Sequence, residues 1–225
     1  MKILGVIPAR GGSKGVYKKN IKLLHEKPLI GYTIEAALLS NLTKVVVSTD
    51  CFEIADVCKN YDVEVLIRSK ELASDETPTL PVIQSVVNQV GNDFEAVMTL
   101  QPTSPFRTHK HIDESITLFE RDKHADSLVS VVEVPHNFSP DKIMVQSGSY
   151  VLGSNNIKRR QDVDVMYARN GAAIYITRIS KLSDYIFGGN ILPYKMSKLH
   201  SFDIDDLEDW EIAHKIMKSV LSDNY

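Results

Sequence analysis

Two stretches of opposite charge hold the residue types best suited to chemistry on phosphate. The first is Ala9–Asn20, which reads ARGGSKGVYKKN. Gly11, Gly12 and Gly15 let backbone N–H groups come close to an anion. Arg10 and Lys14 add the full charges that amides lack against a polyphosphate. The first 27 residues carry seven Lys or Arg against one acid, Glu26, in a chain of net charge -3, so this concentration is local. The second stretch is Ser201–Asp206, SFDIDD. If it is extended, Asp203 and Asp205 point to one face, about 6–7 Å apart. A carboxylate pair so placed suits Mg²⁺, which completes its octahedron with water and phosphate oxygens. The same acids also suit a helix start, with Asp206 near the cap. A loop for phosphates and a carboxylate pair for their cation together form an electrostatic kit for attack at phosphorus.

Other motifs carry less. No GxxxxGK[ST] or GxGxxG spacing is present in the glycine loop. Gly11–Gly15 does match GxSxG, but a hydrolase elbow needs a tight strand-to-helix turn with Ser13 at its tip. Here a basic, non-helical stretch follows Pro8. His109 and His111 read as a helix start rather than a metal site. Cys51 and Cys58 lack metal or redox spacing and read as small half-buried hydrophobes. Lys158–Arg160 has no interleaved aromatics, which argues against a nucleic-acid patch.

The elements that must position these residues follow from periodicity. Lys2–Pro8, Lys44–Thr49, Val63–Ile67, Ala96–Leu100 and Ser127–Val134 are predicted strands, mostly apolar throughout. Helical spacing begins after Pro28 and recurs over Leu80–Val90, His109–Glu120 and Asp206–Leu221; Asp50 is placed to cap the helix after the second strand. Strands alternating with helices imply an α/β domain with a mainly parallel sheet covered on both faces. Ligands of such sheets bind at the carboxyl ends of the strands, where strand order reverses. The polar segments Ala9–Asn20, Thr49–Asp50 and Gln101–Arg107 fall there. Residues His136–Tyr167 are polar and irregular, with a hairpin expected around Gln146–Tyr150, and Ala172–Thr177 returns to strand character. The chain therefore reads as one domain, 1–225, with an insertion at about 136–168.

Composition is that of an ordinary soluble domain. The chain has 225 residues, 43% hydrophobic and 24% charged, which argues against disordered, collagen-like and coiled-coil classes. No apolar run is long enough to span a bilayer, and Met1–Pro8 lacks the layout of a secretory signal. A cytoplasmic protein with no nucleic-acid or membrane partner is expected.

Read together, IPARGGSKG with the following KKN, STD at 48–50, ELASD at 71–75, LQPTSPFR at 100–107, RNGAAIYI at 169–176 and FDIDD at 202–206 resemble the acylneuraminate cytidylyltransferases, the CMP-sialic acid synthetases. The resemblance runs in order over nearly the whole chain. It implies a Rossmann-like nucleotidyltransferase fold and a homodimer whose inserted segment reaches the partner's active site. It also implies a reaction in which CTP and a nine-carbon 2-keto acid sugar give the CMP-sugar and pyrophosphate, with Mg²⁺.

By position, the resemblance makes Arg10 and Lys14 the phosphate-binding pair. It places Ala9, Gly11, Gly12 and Ser13 against the nucleotide through backbone contacts, with Lys19 and Asn20 beside it. Arg68 and the Ser74–Thr79 turn match the segment near cytosine and ribose. Gln101, Arg160, Asn170 and Tyr175 fall at the acceptor sugar, with Arg159 as the competitor of Arg160. Asp203 and Asp205 match the metal-binding aspartates. No histidine lies inside the matched motifs, so a metal-polarised α-phosphate and acceptor hydroxyl would stand in for a side-chain base. The same chemistry on legionaminate, pseudaminate or an eight-carbon keto acid is the nearest alternative, and a catalytically silent nucleotide-binding regulator the more distant one.

Overall fold

The computed structural model describes residues 1–91, 93–153 and 164–222. In chain order the elements are β1 (Ile3–Pro8), β2 (Leu23–Leu24), β3 (Lys27–Pro28), α1 (Leu29–Leu38), β4 (Lys44–Thr49), α2 (Phe52–Cys58), β5 (Glu64–Ile67), α3 (Thr79–Val90) and β6 (Ala96–Thr99). These are followed by α4 (His109–Arg121), β7 (Ser127–Glu133), β8 (Met144–Ser147), β9 (Tyr150–Gly153), β10 (Tyr167–Arg169), β11 (Tyr175–Arg178), β12 (Ile191–Lys195) and α5 (Leu207–Ser222).

The central sheet runs β10-β7-β11-β6-β1-β4-β5, with β12 also paired to β7. Strand β1 lies between β4 and β6, parallel to both, with Val6 opposite Val46 on one side and Thr99 on the other. Its apolar run is divided by the period-two pleat. Ile3 and Ile7 join Val47, Met98, Ile30 and Ile112 in one buried layer. Leu4 and Val6 join Val46, Val97, Ile83 and Val87 in the opposite layer. Helices thus cover both faces, which is why these strands are apolar throughout. Strands β10 and β11 depart from the parallel pattern, β11 running antiparallel to β6 and β7 and β10 antiparallel to β7.

After β5 the chain returns to the other side of β1 to form β6, so strand order reverses at the β1–β6 seam. The segments leaving the carboxyl ends of β1 and β6 are the glycine-rich loop and Leu100–Thr108. Two sequence-read caps are present. The Asp206 carboxylate accepts from the Asp209 N–H at 3.0 Å, while Asp209 accepts from the N–H groups of Asp205 and Asp206, closing the start of α5. His111 belongs to the start of α4, where its Nδ1 accepts from the Thr108 N–H at 3.0 Å. Asp50 departs from expectation. Helix α2 is preceded by Cys51 with no side-chain cap bond, and the Asp50 carboxylate instead accepts from the Gly11 N–H at 3.1 Å. The end of β4 lies against the basic loop, and Arg68 is 3.9 Å from the same carboxylate.

The expected hairpin forms as β8 and β9, a two-stranded sheet separate from the central one, turning at Gly148 with φ 60°. Among the described residues, no helix is long and apolar enough to cross a membrane.

Candidate active site

The glycine-rich loop is held against the sheet by its own backbone. The Ala9 N–H donates to Ser48 O at 2.9 Å, and the Asn20 side chain donates to Arg10 O at 2.9 Å. Close approach explains two of the glycines. A Cβ on Gly11 would meet Cys51 Cβ, and one on Gly15 would run into the carbonyl oxygen of Asp205, whereas Gly12 faces open space. The loop and the acidic turn, 190 residues apart in numbering (205 against 15), are therefore in backbone contact. Lys19 fastens them further. Its Nζ donates to Ile204 O at 2.6 Å and lies 4.0 Å from Asp205 Oδ1.

These segments wall a cleft of about 460 Å³. Arg10, Ser13, Lys14, Lys19, Asn20, Arg68, Ser74, Thr79, Gln101 and Asp205 from the sequence-predicted set all line it. Ala9, Gly11 and Gly12 do not line it, and the N–H groups of Ala9 and Gly11 are already engaged by Ser48 and Asp50. Arg68 is buried in the floor, donating to Ser48 O at 3.2 Å, and burial pulls its pKa below the ordinary guanidinium value against the opposing pull of Asp50.

A second hollow of about 410 Å³ adjoins the first and shares Thr79 and Gln101 with it. Arg169, Gly171, Tyr175 and Phe187 line this one. The Tyr175 hydroxyl donates to Gly171 O, Arg169 Nη1 donates to the Tyr175 oxygen at 3.5 Å, and the Arg169 guanidinium stacks 4.7 Å from the Phe187 ring centre. Burial raises the Tyr175 pKa, with Arg169 working the other way, so the hydroxyl stays protonated at neutral pH. Asn170 lies behind this wall, buried. Its amide accepts from Ser130 Oγ at 2.6 Å and donates to Ser201 Oγ at 2.9 Å, so it orders β7 and the approach to the acidic turn. Arg160 and Arg159 lie outside the described residues.

The two aspartates of the acidic turn occupy different surroundings. The Asp205 side chain is 81% exposed on the cleft side. Asp203 is half-buried beneath the second hollow, accepts from Ser104 Oγ at 3.2 Å, and crowds the position a Gly171 Cβ would take. Burial raises the Asp203 pKa, opposed by the hydroxyls of Thr103 and Ser104 and reinforced by Asp205. A half-buried carboxylate beside a second carboxylate is a site that a hard divalent cation relieves, and an all-oxygen donor set with space for water and phosphate oxygens suits Mg²⁺. Among the described residues, no group of three or more His, Cys, Asp or Glu could hold a metal, so any cation here takes its remaining ligands from elsewhere.

The roles of five residues, Asp75, Arg169, Phe187, Thr103 and Ser104, escaped the sequence reading. Asp75 pairs with both Arg10 and Lys14, at 2.6 Å each. Its signal was present in ELASD, but its partner Arg10 lies 65 residues away in sequence and Lys14 lies in the same distant loop. Arg169 and Phe187 form the second hollow together, and nothing in their spacing announces the stack. Thr103 and Ser104 sit in QPTS and reach Asp203 only through the fold, where Ile204 N–H also donates to Thr103 O at 2.9 Å.

The cytidylyltransferase family matches residues 4–223. An N-acylneuraminate cytidylyltransferase of Escherichia coli O18:K1:H7 is 36% identical over 96% of this chain, and the chain spans 52% of that protein. N-Acylneuraminate cytidylyltransferase of Streptococcus agalactiae serotype V is 31% identical, again with 52% of its length matched. The chain thus spans about half the length of these relatives. By contrast, the post-translational flagellin modification protein B of Campylobacter coli is 34% identical and is matched over 95% of its length. Among solved structures, a CMP:2-keto-3-deoxy-manno-octonic acid synthetase complexed with CTP superposes with a TM-score of 0.77 at 16% identity, covering 97% of this chain and 99% of that one. A 4-diphosphocytidyl-2C-methyl-D-erythritol synthase from Anaerococcus prevotii gives a TM-score of 0.64 at 14% identity, covering 96% of each chain. These two likenesses establish a shared Rossmann-like nucleotidyltransferase fold.

Proposed function

The chain belongs to the cytidylyltransferase family, and from that premise we propose that it activates a nine-carbon 2-keto acid sugar with CTP, giving the CMP-sugar and pyrophosphate. The observation that carries this reading is the backbone contact of the basic loop with the acidic turn across one cleft, beside a second hollow able to take an acceptor. The anomeric hydroxyl forms the new bond to the α-phosphorus, the bond to pyrophosphate breaks, and the hydroxyl proton is released.

Each part has a role in this reading. Arg10 and Lys14 receive the polyphosphate and the charge that builds on the leaving group. Arg68, Ser74 and Thr79 border the base and ribose. Gln101, shared by both hollows, stands where donor and acceptor meet. Lys19 keeps the acidic turn in register with the loop. Asp203 and Asp205 would hold Mg²⁺. When bound, the ion supplies Lewis-acid stabilisation of the phosphate oxygens and a lowered hydroxyl pKa. The acceptor carboxylate needs a planar two-oxygen partner. Arg169 lines the second hollow, and Arg160 remains its rival; comparing the acceptor KM of Arg169→Ala and Arg160→Ala assigns the contact.

A homodimer is part of the proposal. The β8–β9 hairpin stands away from the central sheet with Met144, Val145, Tyr150, Val151 and Leu152 exposed, an apolar arm suited to a second copy. Sedimentation equilibrium tests it, and a monomer at micromolar concentration would reject it.

A different acceptor is the second reading. The Campylobacter coli relative matched over nearly its whole length is named for flagellin modification rather than for N-acylneuraminate. Pyrophosphate release, measured with Mg²⁺ and four NTPs against neuraminate, legionaminate, pseudaminate and the eight-carbon keto acid, decides. CTP with one nine-carbon acid is the expected productive pair. CTP binding without turnover on any acceptor would favour a regulator, and activity with another NTP would overturn the cytidine assignment.

A further inference from the structure

Asp75 presents one carboxylate oxygen to each of two cations of the basic loop, Arg10 and Lys14. Oδ1 lies 2.6 Å from Arg10 Nη1, and Oδ2 lies 2.6 Å from Lys14 Nζ. The non-bridging oxygens of a phosphate would bind the same pair of cations in the same way. A phosphate placed within reach of both would come against the carboxylate, and like charges that close are disfavoured. The hydrogen bond from Lys14, with Arg10 adding to it, holds the Asp75 carboxyl below the ordinary carboxylate range, so it is anionic at neutral pH. Both groups are exposed, so the pair can separate without uncovering a buried charge. Asp75 is 43% exposed and Lys14 77% exposed. Asp75 sits in a turn between β5 and α3 that is closed on itself, Thr77 Oγ1 donating to Glu71 O and sharing a hydrogen bond with Ser74.

We propose that Asp75 is an internal rival of the polyphosphate, competing for Arg10 and Lys14 with the incoming nucleotide and with the departing pyrophosphate. The inference rests on reading the basic loop as the polyphosphate site. Displacing the carboxylate raises the energy of the bound state of both substrate and product. Because exposed ion pairs are individually weak, the competition amounts to a modest factor. It works toward product release: once pyrophosphate is free of the nucleotide, the carboxylate can take back both cations.

The test is the affinity for inorganic pyrophosphate and for CTP, by calorimetry, of the wild type, Asp75→Asn and Glu76→Gln. Glu76 is the adjacent exposed acid, and its removal changes net charge equally. Asp75→Asn is expected to bind pyrophosphate about three- to tenfold more tightly than the wild type, a range set by the small worth of exposed pairs. Glu76→Gln should gain about twofold or less by the long-range field alone. Equal gains in the two variants, or weaker binding by Asp75→Asn, would overturn the inference; weaker binding would make Asp75 an organiser of the cations. If the wild type binds neither pyrophosphate nor CTP, the polyphosphate reading itself fails. That outcome is distinct from an intact wild type with an unimproved Asp75→Asn.

Discussion

Gly15 and Asp205 touch through their backbones: the space a Cβ would need on Gly15 is filled by the carbonyl oxygen of Asp205. This contact sets the basic loop and the acidic turn in register without any charged side chain. Lys19, donating to the neighbouring carbonyl of Ile204, adds a second fastening. The separation between the cations proposed for phosphate and the carboxylates proposed for Mg²⁺ is therefore built into the main chain, which holds position better than long flexible side chains.

Gly15→Ala tests that register. The added methyl meets backbone rather than a movable side chain, so loop or turn must shift. A displacement of about 1 Å at a reacting centre can cost roughly 10²-fold in rate. We expect kcat/KM to fall by about that factor with the far-UV spectrum unchanged. Gly12→Ala, where a Cβ meets nothing, should keep activity within about twofold. Equal kinetics in the two variants would show that the contact sets nothing.

Asp203→Asn tests the carboxylate pair. The amide keeps the shape that Ser104 Oγ recognises but removes the charge a cation needs. Turnover should drop by about 10²-fold or more, with Mg²⁺ affinity weakened in direct titration of the protein. Ser104→Ala should cost less, since a hydrogen bond at 3.2 Å only orients the group. Retained Mg²⁺-dependent activity in Asp203→Asn would move the metal elsewhere.

The sequence displays what depends on neighbours along the chain and hides what depends on neighbours across it. The apolar run of β1 announces a doubly covered strand, and Asp206 announces a helix start, because pleat and cap are local. Both charged stretches are legible for the same reason. Asp50 shows the limit: its local role would be a cap, but the parallel pairing of β1 with β4 brings it to Gly11, and a distant N–H wins. Asp75 and Arg169 are more extreme, since their partners Lys14 and Phe187 are set only by the return of the chain. Asn170, assigned to the acceptor by position, is buried and bonded to Ser130 and Ser201, partners that its spacing does not announce.

Arg107 predicts a split between stability and activity. It is 2% exposed, with Nη1 donating at 3.5 and 3.4 Å to Gln101 O and Ser104 O, while Nε and Nη2 have no hydrogen-bond partner among the described residues. A buried charge so poorly satisfied is a liability, and a hydrophobic replacement of like length is often neutral or stabilising. Arg107→Met should therefore unfold in urea at the wild-type midpoint or above it. Its kcat/KM should nonetheless fall, by about tenfold, because the turn carrying Gln101 and Ser104 loses its brace. A lower midpoint with unchanged kinetics would make Arg107 purely structural.

His111 predicts the acid limb of stability. Burial first, then the neighbouring His200 ring 4.5 Å away, lowers its pKa from 6.5 to about 4; Arg107 and His109 act in the same direction and Glu114 opposes. Its Nδ1 accepts from the Thr108 N–H, which requires that nitrogen to be unprotonated. The sign follows from linkage. As pH falls below 6.5 the unfolded chain takes up a proton that the folded chain refuses, so stability declines until about pH 4, where the folded ring is protonated too. For a partly exposed ring the full loss is on the order of 1–3 kcal/mol. His111→Gln keeps an acceptor for the capping box but does not titrate. Urea unfolding of both proteins at several pH values between 7 and 4 should give the variant the shallower decline. Parallel declines would assign the acid sensitivity to another group.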